Sequence, residues 1–161
     1  MSFNNIKTNL RSEKGFTIVE LLIVIVVIGI LAAITIVSFN GVTAKANTTS
    51  AKSAASSVIK KAEAYNAEKS GYPLLGTDLT SAAQTESYSL SGVTALPAAP
   101  TAANGKTTVQ FLKCSAGSDT AQSTITATNI SGIRVYYWDY TTGALTTTPL
   151  NTGITTACPL T

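Results

Sequence analysis

Histidine is missing from all 161 residues, cysteine occurs twice, and Asp, Glu, Lys and Arg together make up only 12%. Each shortage removes a class of chemistry. Without an imidazole there is no base to activate a Ser or Cys nucleophile in the usual triad, and two thiols alone cannot close a four-coordinate zinc site. No glycine-rich phosphate loop follows a strand pattern, and no run of carboxylates matches a calcium loop. Asp119 and Asp139 form a candidate carboxylate pair by residue type alone, with no spacing that joins them. The chain therefore reads as a protein that is not an enzyme and uses no cofactor or metal.

Charge is also scarce beyond the N-terminus. Lys7, Arg11 and Lys14 against Glu13 give residues 1–15 a net charge of +2, which leaves +1 for everything after them. A nearly neutral body indicates no nucleic-acid or acidic-substrate surface. What the chain has in excess is one apolar run. Between Leu21 and Ile34 every residue is apolar or Gly, and the 24 residues from Phe16 to Phe39 carry a single charge, Glu20. A helix of that length covers ~36 Å at ~1.5 Å per residue, against a hydrocarbon core of ~30 Å, so it spans a membrane with some tilt. The basic residues ahead of it place residues 1–15 in the cytoplasm and the remainder outside. Cys114 and Cys158 then lie in the exported part, where a disulfide is the natural reading of a cysteine pair. The length leaves room for one small domain beside the span.

The apolar run is longer than that of a secretory signal peptide, and Ala32-Ala33, its best small-residue pair, lacks the spacing of a cleavage site. Two fates remain open from the residues: an uncleaved anchor, or a cut just before the apolar run at Gly15-Phe16. Lys14-Gly15-Phe16-Thr17-Ile18-Val19-Glu20-Leu21-Leu22, followed by an apolar helix, resembles the class III signal of type IV pilins and related pseudopilins. The likeness is confined to the N-terminal motif and span, yet it is specific, because charge, glycine, aromatic, glutamate and span must occur in that order. It implies that a membrane-embedded prepilin peptidase cuts after Gly15 and methylates the new amine of Phe16.

Glu20 matches the family's glutamate four residues past the cut. A carboxylate within a span costs on the order of 3 kcal/mol unless it finds a partner, and the amine of Phe16, on its own chain or a neighbour's, is one. In the family the pairing is intermolecular, which makes Glu20 an assembly residue. The implied partners are other copies of the chain in a homopolymer, the prepilin peptidase, an inner-membrane assembly platform, and the membrane before assembly. The implied product is the major structural subunit of an extracellular bacterial pilus for adhesion, twitching motility or DNA uptake, with its precursor in the inner membrane. The span lacks the proline of some type IV pilins, and Gly29 and Gly41 are its only helix-weakening residues.

Beyond the span, residues 40–70 turn to Ala, Ser, Thr, Asn and Lys. Ala51, Ala55, Val58, Ala62 and Tyr65 recur at helical spacing, widened by Ile59, while Lys52, Lys60, Lys61, Glu63 and Lys69 fall elsewhere. The helix continues through this amphipathic half or breaks at Asn40-Gly41, and Gly71 before Tyr72-Pro73 is the expected stop. Residues 71–161 are the head. Residues 71–106 read as a long connection with a short helix near Thr80–Thr85. From 107 to 161 the pattern is β: alternation over Val109–Cys114, over Thr124–Thr128 and over Ile133–Tyr140, a turn at Thr141-Thr142-Gly143, and a return strand over Ala144–Thr148. The expected fold is α+β, a long helix packed on a small antiparallel sheet, which also resembles the pilin lollipop.

Tyr136-Tyr137-Trp138-Asp139-Tyr140 is either core, subunit contact or an adhesive patch. Asn47-Thr48-Thr49 and Asn129-Ile130-Ser131 match glycosylation sequons. Two rivals share features with the leading reading. A pseudopilin of a type II secretion system has the same signal, although its acidic calcium loop has no counterpart in this sequence. A membrane-anchored enzyme or binding module that never polymerises, such as a Ser/Lys hydrolase, is the other.

Overall fold

The apolar run and the Ala- and Lys-rich stretch after it form one helix, α1, Ile18–Lys69, 52 residues long. The computed structural model describes residues 15–80, 86–117, 121–153 and 155–159. Helical backbone passes through Asn40-Gly41 without a break. The chain divides at this point into two compact units, Met1–Phe39 and Asn40–Thr161. In the first, α1 is apolar on every face, and Ile18, Leu21, Ile25, Ile28 and Leu31 each keep more than half of their surface exposed. The helix is long and apolar enough to cross a membrane. So much aliphatic surface facing water is unfavourable by roughly 1.5–3 kcal/mol per large side chain, which calls for lipid or other helices around it.

The second half of α1 is amphipathic as its spacing requires. Ala51, Ala54, Ala55, Val58 and Ala62 are buried, and Ile59 and Tyr65 pack at the margin. Four of those five buried residues are alanines, so the sheet can lie close against the helix. α1 ends where Ser70 adopts φ 57° and donates its N–H to the Asn66 carbonyl at 2.9 Å. The left-handed residue is thus Ser70, one position ahead of the expected Gly71.

Among the described residues the sheet has four strands in the order β1 (Thr94–Leu96), β2 (Thr108–Ser115), β3 (Ile130–Tyr136), β6 (Leu150–Gly153). β2–β3 and β3–β6 are antiparallel, whereas β1 runs parallel to β2. The sheet is therefore mixed at one edge, within an α+β arrangement. Val109 and Phe111 of β2 and Ile133 and Val135 of β3 meet the alanine stripe of α1 in one core. Gln110, Leu112 and Cys114, on the other face of β2, are buried as well. The connection before β2 covers part of that face, since Gln110 Nε2 donates to the Pro97 carbonyl at 2.9 Å.

Several expected elements take another form. A short helix, α2, occupies Thr77–Thr80, just ahead of the expected span, and residues 81–85 lie outside the described residues. Gly76 before it lies against the Ala95 carbonyl of β1, where a side chain would collide with the strand. Thr124–Thr128 is not a strand. Asn129 captures this segment: its Oδ1 accepts from the Thr126 N–H at 2.6 Å and its amide donates to the Thr124 carbonyl at 3.0 Å. Such side-chain bonds offer the backbone an alternative to a ladder.

The third strand stops at Tyr136. Trp138–Asp139 (β4) pairs instead with Ala144–Leu145 (β5) in a separate ribbon, closed by the expected turn with Gly143 at φ 68°. The return strand is thus two residues long and belongs to this ribbon. The fourth strand of the main sheet is β6, whose polar Leu-Asn-Thr-Gly sequence hides its role. Thr152 of β6 is buried and donates to Glu63 Oε1 on α1 at 2.9 Å.

Candidate functional site

The residues singled out at the N-terminus sit at the first turn of α1. Residues 1–14 lie outside the described residues, and Gly15 and Phe16 are exposed just ahead of the helix. Thr17 immediately precedes the first helical residue, and its carbonyl takes the first helical bond, from the Leu21 N–H at 3.2 Å. A helix start leaves backbone N–H groups without partners, and Thr17 and Glu20 satisfy two of them reciprocally. Glu20 N–H donates to Thr17 Oγ1 at 3.2 Å, while Thr17 N–H and Thr17 Oγ1 both donate to Glu20 Oε2, at 2.8 and 2.7 Å. This is a capping box. The Thr-x-x-Glu pattern ahead of an apolar run signals it in the sequence, and reading Glu20 only as a charge in a span overlooks Thr17. Glu20 Oε1 takes no bond among the described residues. Glu20 also lines an open groove of about 520 Å³ with Phe16, Leu21, Ile23 and Val24.

In the head, Cys114 and Cys158 are joined in a disulfide. The C-terminal segment is also tied to the sheet without it. Ser115 and Ala157 exchange backbone bonds of 2.8 and 3.1 Å, and the Arg134 guanidinium donates to the Thr155 carbonyl at 3.2 Å. The Gln122 amide takes the place of a neighbouring strand: it accepts from Lys113 N–H at 2.8 Å and donates to the carbonyls of Lys113 and Pro159.

Three of the four aromatic residues in the cluster pack within the head. Tyr137 is buried in the core, Tyr140 packs against it and donates its hydroxyl to the Ala102 carbonyl, and Trp138 lies against Gly105, where a Cβ would collide with it. Both sequon asparagines are constrained, Asn47 within α1 and Asn129 by the bonds that hold its turn. Asp119 lies outside the described residues, so the carboxylate pair has no observed geometry. Among the described residues no three His, Cys, Asp or Glu side chains gather as a metal site.

Asp139 has a structural task. Its Oδ1 accepts from Thr141 Oγ1 at 2.6 Å and Thr141 N–H at 2.8 Å, and from Thr48 Oγ1 of α1 at 3.0 Å, while Tyr140 N–H donates to Thr48. The Thr141 hydroxyl and amide hold its carboxyl below the ordinary range, with Thr48 adding to them. A carboxyl lowered in the fold contributes stability above its unfolded value and loses it as pH falls through the folded one. Thermal unfolding measured from neutral pH into the acid range should therefore lose stability more steeply in the parent than in Asp139→Asn. Equal acid sensitivity of the two would show that this ribbon anchor does not depend on charge.

Comparison with known proteins agrees with the resemblance read from Lys14–Leu22. Residues 10–36 match the family model described as the prokaryotic N-terminal methylation motif. Two fimbrial proteins of Pseudomonas aeruginosa are each 44% identical to this chain over 54 residues, which is 34% of the chain and 35% of the relative. The likeness thus spans about a third of the length of those relatives. No solved structure matches the chain.

Proposed function

We propose that this chain is the structural subunit of a type IV pilus-like filament. Its precursor is anchored by the first half of α1 and cut between Gly15 and Phe16 by a prepilin peptidase. Phe16 is then N-methylated, and the chain is polymerised through α1 into an extracellular homopolymer. The observation that carries this reading is the methylation motif over residues 10–36 continuing into a helix that is apolar on every face. Such a surface suits two successive environments, lipid for the precursor and the helices of other subunits in the filament. Before cleavage the leader faces the cytoplasm and the head lies outside, because the basic residues precede the span. In this role Glu20 is the assembly residue, the charge that meets a neighbour's Phe16 amine.

The test is electron microscopy of sheared surface material together with the intact mass of the chain recovered from it. Abundant long filaments are expected, built of a chain that begins at a methylated Phe16 and contains one disulfide. A filament chain that kept residues 1–15, or began after Ala33, would overturn the processing site. A chain found only as a membrane monomer would favour an anchored, non-polymerising role.

A further inference from the structure

We propose that Thr17 is the positioning residue for assembly, holding one oxygen of Glu20 on its own helix so that the other is left for the incoming subunit. This rests on the filament reading above. Both bonds from Thr17 fall on Glu20 Oε2, while Oε1 takes none among the described residues. An ionised carboxylate accepts about two bonds on each oxygen, so the box fills one side and leaves the other able to take a cation. The free oxygen belongs to a side chain lining a groove whose other walls are Phe16, Leu21, Ile23 and Val24. These walls are exposed in the single chain; once the helices of neighbouring subunits cover them, water is excluded and screening weakens, which strengthens the attraction between that oxygen and an ammonium brought beside it.

The box needs no amine from its own Phe16. Thr17 N–H is a peptide amide on both sides of the cut at Gly15-Phe16, so the same bonds form in the precursor and in the processed chain. Glu20 is therefore partly satisfied while the subunit waits in the membrane, and it is held in one orientation before a neighbour arrives. Fixing a flexible side chain in advance removes an ordering cost from the binding step.

The experiment compares Thr17→Val, which keeps the branched shape and removes the hydroxyl, with Thr17→Ser, which keeps both donors. Filament yield is scored per processed subunit, counted by intact mass in the same cells, so that a change in cleavage cancels. Thr17→Val should lower that yield about tenfold, the loss expected for one charge-assisted hydrogen bond, and Thr17→Ser should restore it. Glu20→Val should give no filaments.

A second measurement does not depend on cleavage. In the full-length precursor in micelles, the ¹³C carboxylate signal of Glu20 should shift on Thr17→Val and return with Thr17→Ser. Parent-level filament yield from Thr17→Val, or an unmoved carboxylate signal, would overturn the role of Thr17. The filament reading would then stand as long as Glu20→Val still abolished assembly. Absence of filaments from the unsubstituted chain would overturn both.

Discussion

Replacing Glu20 with valine is expected to abolish filaments while the precursor still inserts, is still cut at Gly15-Phe16 and still folds its head. Glu20 makes three separable contributions. As a charge within the span, Glu20 opposes insertion by on the order of 3 kcal/mol, so its removal helps the membrane stage. As a partner in the capping box, its bonds to Thr17 support only the first turn of α1, and losing them costs about 1 kcal/mol of local helix stability. The head core is built from residues from Ala51 onward and has no contribution from Glu20, so its unfolding should not change. What remains is the carboxylate's meeting with a neighbour's Phe16 amine, and that is what assembly loses.

Two further substitutions divide cap from charge. Glu20→Gln keeps an oxygen for Thr17 but carries no charge, so it should preserve the first turn and still fail to assemble. Glu20→Asp keeps the charge on a shorter reach and should be intermediate. Sheared pili are quantified beside leader cleavage in the same cells, because a processing defect would otherwise imitate an assembly defect. Normal filament yield from fully processed Glu20→Val would reduce Glu20 to a helix cap and remove the main physical link between this motif and polymerisation.

The parts that could be read from the sequence are those whose signals are dense and local. An apolar run of 24 residues, a stripe at Ala51, Ala55, Val58 and Ala62, and alternation over Val109–Cys114 each repeat their message many times. The parts that could not be read depend on single contacts made at a distance. Thr124–Thr128 has the branched composition of a strand, yet one side chain, Asn129, holds it as a turn. β6 has almost no strand character of its own and is recruited by its pairing with β3 and by the bond from Thr152 to Glu63. β1, three residues in an Ala/Pro-rich connection, is too short to show a period. At the N-terminus the Thr-x-x-Glu pattern is a single four-residue signal, and a lone charge in an apolar span points more strongly to a distant partner than to Thr17, three residues earlier.

Removing the disulfide should cost the head more stability than the loss of any one of its hydrogen bonds. Cys114 and Cys158 are 44 residues apart in sequence, and a covalent link across that separation restricts the unfolded chain by ~4 kcal/mol in the loop-entropy model. A small domain has only about 5–15 kcal/mol in total, so Cys114→Ala/Cys158→Ala should lower the unfolding midpoint by on the order of 15 °C. The native state should nevertheless keep its topology at low temperature. The Ser115–Ala157 bonds, the Gln122 amide and the Arg134 guanidinium hold the C-terminal segment in place without the sulfur link.

The order of loss on heating follows from the same contacts. Among the described residues β6 pairs only with β3, over Leu150–Gly153, and the segment after it is the one the disulfide clamps, so this edge should open first in the double variant. Opening would expose the edge of β3 at Gly132–Val135, a row of unpaired backbone groups prone to pair with another chain. Full-length parent and variant in the same detergent, compared by thermal unfolding and by hydrogen exchange at Gly132–Val135, would check both points. Exchange there should quicken well before the helix-facing residues of β2. A midpoint that moved by less than about 3 °C would mean that the non-covalent ties alone set the stability of the head. It would also mean that the loop-entropy estimate fails for this fold, because residual structure in the unfolded chain already keeps these two segments together.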